Sequence, residues 1–146
     1  MKIQDLMTSD VSFVQASDSI QKAAQLMESI NVGSIPVCEN KKVVGIITDR
    51  DIVLKAIAKG HNHEAKVSNC MSAQVVTVTP DTDAHEAADL MAQHQIRRLP
   101  VVDNSGNLVG ICAIGDLATV DIHVNEAGDA LSKISQPSQS QSSTLQ

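Results

Sequence analysis

Aromatic side chains are almost absent from this chain of 146 residues, which has one Phe and no Trp or Tyr. A buried core must therefore consist of Val, Ile, Leu, Met and Ala, and only Phe13 is available to stack on a base. The 11 Lys and Arg residues are outnumbered by 17 Asp and Glu residues, giving a formal net charge of −6. Both features argue against nucleic-acid binding, which we place behind other binding functions.

Long apolar runs and an N-terminal signal sequence are also absent. Nowhere do about eighteen apolar residues follow one another, as a membrane-spanning helix requires. Residues 1–7 contain neither an apolar segment nor a small-residue cleavage site. We therefore expect a soluble, cytoplasmic protein that does not associate with a membrane.

What the chain does contain is an internal duplication. Residues 45–51, with the sequence Gly-Ile-Ile-Thr-Asp-Arg-Asp, return 65 positions later as residues 110–116, with the sequence Gly-Ile-Cys-Ala-Ile-Gly-Asp. Upstream of these segments the matching residues lie 64 positions apart, as Met27 and Met91 do. In each copy a Gly opens a short apolar strand and an Asp falls in the first turn of a predicted helix.

The duplication sets the domain organisation that we predict. A repeat of about 64 residues is marginally stable alone, whereas the whole chain buries roughly 70% of its unfolded surface if both halves share a core. We expect one compact unit with a first repeat at 1–60, a linker at 61–66, a second repeat at 67–122 and an extension at 123–146. From residue 136 the extension is rich in Ser and Gln, and we predict that this tail is disordered.

Hydrophobic patterning predicts the element order β-α-β-β-α in both halves. In the first half the predicted strands are 11–14, 34–38 and 42–48. One predicted helix begins after Ser17 or Ser19, and a second covers 49–59. The apolar stripe of the first helix comprises Ile20, Ala23, Ala24 and Met27. In the second half the predicted strands are 75–78, 98–102 and 108–113, and the predicted helices are 83–95, one from residue 114 and a weaker one at 126–134.

Cysteine and histidine indicate neither a metal site nor a catalytic site. Cys38, Cys70 and Cys112 show no Cys-x-x-Cys spacing, and each matches an aliphatic residue of the other half, which favours core packing. His61 and His63 lie in the linker, where two imidazoles fall short of the three or four ligands of a defined metal site. No Ser or Cys has a recognisable partner base, so we do not expect an enzyme.

Asp51 and Asp116 interrupt an otherwise apolar pattern, and two interpretations of them stay open. Thr48 followed three residues later by Asp51 matches a helix capping box. Asp116 is present although Ala113 replaces the hydroxyl, which favours a ligand contact instead. A carboxylate at a helix start, beside strand ends, is well placed to accept two hydrogen bonds from a ribose diol.

Two adjacent arginines, followed by Leu99 and Pro100, stand at the start of the first strand of the second hairpin. Neighbouring residues in a strand point to opposite faces, so either Arg97 or Arg98 must turn towards the interior. A buried guanidinium requires an anion, and its planar fork matches the oxygens of a phosphate.

These residues together resemble a tandem pair of cystathionine-β-synthase (CBS) domains, also called a Bateman module. The resemblance covers about residues 1–122 and rests on two motif pairs, 32–37 with 45–51 and 96–103 with 110–116. It implies an α/β fold in which two β-α-β-β-α repeats, related by pseudo-twofold symmetry, pack through their sheets. It also implies a homodimer, in which helices of two copies meet.

The resemblance further implies two clefts for an adenosine-containing regulatory ligand such as AMP, ADP, ATP, NAD or S-adenosylmethionine, with no obligatory cofactor. The implied ligand residues in the first repeat are Val14, Ser34, Ile35, Pro36, Thr48 and Asp51. Those in the second repeat are Thr77, Arg97, Arg98, Leu99, Pro100 and Asp116. By analogy the aspartates hold the ribose, whereas Thr48 and the arginines reach phosphate.

The expected function is a regulatory module that senses such a nucleotide and signals to a partner protein on another chain. The paired arginines occur only in the second half, so we expect the better anion site there. The rival interpretation is a dimerisation scaffold with empty clefts, favoured by Gly33 and Ala113, which lack the side chains that a ligand site would use. The identity of the ligand and of the partner is not encoded in any motif.

Overall fold

The protein is described here by a computed structural model, which places residues 1–118 and 124–135. The disordered tail predicted from residue 136 lies outside the described residues. None of the described helices combines the length and the hydrophobicity needed to cross a membrane. The chain forms two compact units, and each combines separate segments of the sequence.

The first-repeat unit comprises Asp10–Val75 together with Val102–Val109. Its sheet has the order β1 (Val14–Gln15), β2 (Ser34–Glu39) and β3 (Lys42–Thr48). β1 pairs parallel to β2, and β2 pairs antiparallel to β3, with Ser34 opposite Thr48. The strand predicted at 11–14 is only two residues long in the structure, Val14–Gln15, and begins where the prediction ended. It ends at Gln15, whose backbone N–H donates to the Asp18 carboxylate at 2.8 Å and turns the chain towards the helix.

Helix α1 (Ile20–Ile30) begins at Ser19, whose hydroxyl accepts a hydrogen bond from the Lys22 backbone N–H at 3.2 Å. Its buried residues are Ile20, Ala23 and Met27. The prediction that Ala24 belongs to this stripe is wrong, because Ala24 is exposed.

The second helix of this unit is not a uniform α-helix. α2 (Asp49–Asp51) continues as a π-helix at Ile52–Ile57, where the prediction was a single helix over 49–59. The chain leaves this helix through Gly60, whose φ of 81° lies in the left-handed region that glycine tolerates.

Each unit is completed by a segment that the sequence assigns to the other repeat. In the first-repeat unit the 3₁₀-helix Val67–Asn69 leads to Ser72, which forms a backbone bridge with Ile46. In the second-repeat unit the 3₁₀-helix Ile3–Asp5 leads to Thr8, which forms the corresponding bridge with Ile111.

The second-repeat unit comprises Met1–Ser9, Val76–Val101 and the described residues from Gly110 onward. Its elements are α3 (Ala84–His94), β4 (Arg98–Val102), β5 (Leu108–Ala113), α4 (Ile114–Ala118) and α5 (Val124–Ser135). The strand predicted at 75–78 is reduced to one residue, because only Val78 bridges to Val101.

Aliphatic residues and the three cysteines fill the cores of both units. Cys38, Cys70 and Cys112 are free thiols with at most 1% exposure, as their match to aliphatic positions predicts. Burial raises the pKa of Cys38 to about 11 and that of Cys112 to about 12. The mixed α/β fold class predicted from the sequence is confirmed.

Candidate functional site

The corner between β3 and α2 is closed by a complete capping box. The Thr48 hydroxyl accepts a hydrogen bond from the Asp51 backbone N–H at 3.0 Å. In return the Thr48 backbone N–H donates to Oδ2 of Asp51, also at 3.0 Å. The hydroxyl and one carboxylate oxygen therefore have a structural role at the helix start.

The other oxygen of Asp51 faces a cation one turn along the helix. Nζ of Lys55 lies 3.1 Å from Oδ1 of Asp51, and the Asp51 side chain is only 16% exposed. The spacing of four residues is the one at which helical side chains meet. A ligand that binds to Asp51 must compete with this ammonium group.

A second carboxylate stands close to the same corner. The Asp49 backbone N–H donates to the Gly33 carbonyl at 2.9 Å, which fixes the start of α2 beside the start of β2. A side chain at Gly33 would place its Cβ 3.1 Å from Oδ2 of Asp49. The corner of the first repeat thus presents Asp49 and Asp51 together, which opposes binding of an anion.

The second repeat builds the same corner without the hydroxyl. The Ala113 backbone N–H donates to Oδ2 of Asp116 at 2.8 Å, as Thr48 does to Asp51. Capping therefore accounts for one oxygen of Asp116 even though Ala113 cannot return a hydrogen bond. Loss of the hydroxyl is consequently weaker evidence for a ligand role of Asp116 than the sequence suggests.

The arginine pair divides between the surface and the interior, as strand geometry predicts. Arg97 is exposed, and its carbonyl accepts a hydrogen bond from the Ile114 backbone N–H at 2.8 Å. Arg98 is half-buried, and its Nε is buried with no hydrogen-bond partner among the described residues. A buried N–H without a partner is costly, so this guanidinium is suited to an additional acceptor.

The electrostatics of Arg98 favour an anionic acceptor. Burial lowers the pKa of Arg98, and the nearby Asp116 carboxylate counteracts that effect without abolishing it. The guanidinium remains charged at neutral pH because free arginine titrates far above it. An anionic group placed beside Arg98 would compensate for the water lost on burial.

The two corners differ in charge at aligned positions. The first corner holds Asp49, Arg50, Asp51 and Lys55, two acids and two bases. At the matching positions of the second corner the sequence has Ile114, Gly115, Asp116 and Val120, and it adds the arginine pair where the first has Gly33 and Ser34. The second corner is therefore the more positive of the two.

The structure places the implied ligand residues in two groups. Val14, Ile35 and Leu99 have at most 1% exposure and pack in the cores, and Pro36 and Pro100 are also buried. The polar residues reach the surface, at least in part: Ser34, Thr48, Asp51, Thr77, Arg97, Arg98 and Asp116. Thr77 precedes Val78, whose backbone N–H donates to the Pro100 carbonyl at 3.1 Å. Thr77 therefore lies beside β4, the strand that begins at Arg98.

Sequence reasoning missed two residues of the first corner. The pairing of Lys55 with Asp51 was detectable from their spacing of four residues on a predicted helix. The approach of Asp49 to Gly33 had no such signal, because it depends on how the helix start meets the neighbouring strand. Among the described residues no group of three His, Cys, Asp or Glu is arranged to hold a metal ion.

Known proteins are similar to this chain over both repeats. The family model "CBS domain" matches residues 3–57 and again residues 67–123. The CBS domain-containing protein YhcV of Bacillus subtilis is 47% identical over 133 residues, which cover 91% of this chain and 94% of that protein.

Solved structures agree in fold. The CBS domain pair of protein MJ0100, in complex with 5′-methylthioadenosine and S-adenosyl-L-methionine, superposes with a TM-score of 0.72 at 28% identity, covering 82% of this chain and 94% of that chain. CBSX2 in complex with AMP also gives a TM-score of 0.72 at 28% identity, covering 85% of this chain and 98% of that chain. With two family matches and a relative that is 47% identical over nearly its whole length, this chain belongs to the CBS domain family and carries the domain twice.

Proposed function

We propose that this protein is a non-catalytic regulatory module of the cytoplasm that binds an adenosine nucleotide beside Arg98 and Asp116. The observation that carries the proposal is the buried Nε of Arg98, which has no hydrogen-bond partner among the described residues. A phosphate oxygen satisfies this donor and compensates the half-buried charge. The carboxylate of Asp116, with about four acceptor sites, has the capacity to bind a ribose hydroxyl as well as the Ala113 N–H.

The related structures support the proposed ligand class. MJ0100 was solved with S-adenosyl-L-methionine and 5′-methylthioadenosine, and CBSX2 with AMP. Adenosine is the part that these ligands share. In this chain the arginine pair favours the phosphorylated members, AMP, ADP, ATP or NAD, over the uncharged or cationic ones.

The proposed module acts as a homodimer on a partner protein. Val53, Leu54 and Ile57 of the π-helix are 54%, 44% and 59% exposed, an apolar surface of the kind that a second copy covers. A signal arises if the nucleotide binds one of two conformations more tightly, which typically supplies about 1–3 kcal/mol of coupling.

The rival function is a dimerisation scaffold that binds no nucleotide. The first corner favours it, because both oxygens of Asp51 are engaged by Thr48 and Lys55 and a second acid stands nearby. The two functions differ in whether any nucleotide binds at all.

Isothermal titration of the full chain with adenosine, AMP and ATP tests the proposal. We expect AMP to bind at least about tenfold more tightly than adenosine, since a charge-assisted contact contributes about 1.5–3 kcal/mol. Arg98→Gln should remove the preference for AMP and leave adenosine binding in place. Absence of heat with every nucleotide up to millimolar concentration would favour the scaffold.

A further inference from the structure

Helix α5 rests on both elements that position the candidate nucleotide site of the second repeat. It packs against α3 and against α4 within the second-repeat unit. The turn that follows α3 leads directly to Arg98, and α4 contains Asp116. The two elements are joined beside the site, because the Ile114 backbone N–H donates to the Arg97 carbonyl at 2.8 Å. A change at either element therefore reaches the surface on which α5 lies.

A side-chain hydrogen bond ties the end of α5 to the turn before the arginines. Nε2 of Gln95, the C-cap of α3, donates to the Lys133 carbonyl at 3.1 Å. Lys133 lies in the last turn of α5, where carbonyl groups lack partners within the helix. Gln95 has a left-handed backbone conformation with a φ of 54°, and from it the chain turns into β4. Movement of this turn alters a contact that holds α5.

The second half of α5, residues 128–135, buries little apolar surface. Only Ala130 is buried there, at 1% exposure, and Ile134 is half-buried. Gly128 lies inside the helix, where glycine is an unfavourable residue. A helix of twelve residues is marginal in water by itself, so α5 depends on the elements beneath it. Elements with few buried contacts are the ones that open most readily.

This helix and the arginine pair occur in the same repeat. Asn31 matches Gln95 in the first repeat and has the same left-handed conformation, with a φ of 56°. Among the described residues, however, the first-repeat unit has no counterpart of α5. Its corner also has Gly33 and Ser34 where the second repeat has the two arginines. The additional helix thus lies in the repeat whose charge favours an anion.

We propose that α5 is the signalling element of the nucleotide site. It docks more firmly on α3 and α4 when a nucleotide occupies the site beside Arg98 and Asp116, and it loosens when the site is empty. This inference rests on the proposed function and adds the element through which occupancy reaches the partner protein.

The direction of the effect follows from what the nucleotide joins. A phosphate on Arg98 and a ribose on Asp116 connect the start of β4 to α4. Restricting these elements orders the packing surface in advance, so α5 loses less entropy from its surroundings when it docks. Binding equilibria that are coupled are reciprocal. Release of α5 must therefore weaken nucleotide binding by the factor by which the nucleotide strengthens docking.

A nitroxide spin label on α5 of the full-length protein measures its docking directly. Ser132→Cys places the label at an exposed position of α5, and the three native cysteines are buried and should not react. We expect two spectral components without nucleotide, one mobile and one immobile. AMP should lower the ratio of mobile to immobile label at least about fivefold, the low end of typical coupling between sites. A label at Ser29→Cys, exposed on α1 of the first-repeat unit, should not respond.

Ala130→Arg tests the reciprocal effect on nucleotide binding. The long charged side chain does not fit at a position with 1% exposure, so this variant should release α5. Isothermal titration should then show AMP affinity reduced at least about fivefold. Leu131→Arg is the matched control at the neighbouring residue, which is 42% exposed, and it should bind AMP as the wild type does.

Gln95→Asn is a milder variant that keeps the test valid if Ala130→Arg disturbs the unit. It shortens the side chain by one methylene, and asparagine holds the same left-handed turn at the matching position of the first repeat. Loss of one hydrogen bond should raise the ratio of mobile to immobile label about two- to tenfold. AMP affinity should fall in the same variant.

Three results would overturn this inference while leaving the nucleotide site intact. The first is AMP binding to the wild type with no change of the label at residue 132, including a label that is already immobile without AMP. The second is an equal response of the label at residue 29. The third is wild-type AMP affinity in both Ala130→Arg and Gln95→Asn. Absence of AMP binding to the wild type would instead contradict the proposed function, and this inference with it.

Discussion

Arg98 carries a charge that the protein itself satisfies only in part. Its Nε is buried without a partner among the described residues, and burial lowers its pKa. We expect such a group to reduce the stability of the ligand-free protein, and we propose that its role is to bind an anion. The proposed anion site therefore predicts a lower free energy of unfolding for the ligand-free protein, which can be measured.

We expect Arg98→Met to stabilise the ligand-free protein by about 0.5–1 kcal/mol, because the methionine fills the site without a buried donor. Chemical denaturation measures this change. Arg97→Met, at the exposed neighbour, should leave stability within about 0.5 kcal/mol of the wild type. A loss of more than about 1 kcal/mol in Arg98→Met would show that the arginine serves the fold and not a ligand.

The cysteines should be unreactive in the folded state. Burial raises the pKa of Cys38 to about 11 and that of Cys112 to about 12, and it also raises the pKa of Cys70. The thiolate is the reactive form, and at pH 8 almost none is present. A disulfide reagent at that pH should titrate less than about one thiol per folded chain and all three in guanidinium. Rapid reaction of the native protein would contradict the buried placement.

Residue roles were the part of the candidate site that the sequence predicted least completely. The aspartates were found because they break an apolar repeat, and the arginines because they stand side by side at the start of a strand. The hydrogen bond from Ala113 to Asp116 was not, since a backbone N–H donates from any residue type and leaves no trace in the sequence. The capping interpretation and the ligand interpretation of Asp116 are therefore not exclusive.

At the scale of elements, each central hairpin depends on a segment that the sequence assigns to the other repeat. A Cβ at Gly45 would lie 2.6 Å from the Ser72 carbonyl oxygen and 2.8 Å from Sδ of Met71. A Cβ at Gly110 would lie 2.6 Å from Sδ of Met7, with the Thr8 carbonyl oxygen at 3.1 Å. The glycines are needed because these two segments, which we call the crossing segments, are bridged to β3 and β5 through their backbones and leave no room for a Cβ.

Gly45→Ala should therefore destabilise the protein more than Gly110→Ala. The first change meets a backbone oxygen that cannot move without shifting the chain, and overpacking of this kind costs about 1–3 kcal/mol. The second meets mainly the end of a flexible methionine side chain, so we expect a smaller loss in urea denaturation. Met7→Ala should relieve Gly110→Ala. Equal losses for the two glycine variants would mean that the crossing segments are not rigid.

Elements with strong periodicity were predicted well, and those shaped by their neighbours were not. The helix boundaries of α1 and α3 follow from caps and apolar spacing. The strand predicted at 75–78 shrinks to one bridging residue because, of its four residues, only Val78 hydrogen-bonds to β4. The π-helix at Ile52–Ile57 has no sequence signature. The exposure of Ala24 reflects the absence of an α5 equivalent among the described residues of the first-repeat unit.

At the scale of the whole molecule, duplication made the family recognisable from sequence alone. Two copies of the Gly-to-Asp corner in one register are specific, whereas a single copy would have been weak. Duplication did not reveal that the first segment of each repeat belongs to the compact unit of the other repeat. The spacing between the two copies is the same whichever unit that segment joins. It also conceals the few positions where the copies differ in charge, and from these we propose that the two repeats differ in function.

The most direct test of the central claim, that the second repeat holds the nucleotide, is a thermal-shift panel with AMP, ADP, ATP, NAD and S-adenosylmethionine. The proteins to compare are the wild type, Asp116→Asn and Asp51→Asn, because asparagine keeps an oxygen for the capping hydrogen bond while removing the charge. At about 100 times its dissociation constant a ligand adds roughly 2.7 kcal/mol, which raises the midpoint by several degrees. We predict that one nucleotide produces this rise in the wild type and in Asp51→Asn but not in Asp116→Asn. A rise that is lost only in Asp51→Asn, or no rise with any nucleotide, would contradict the account.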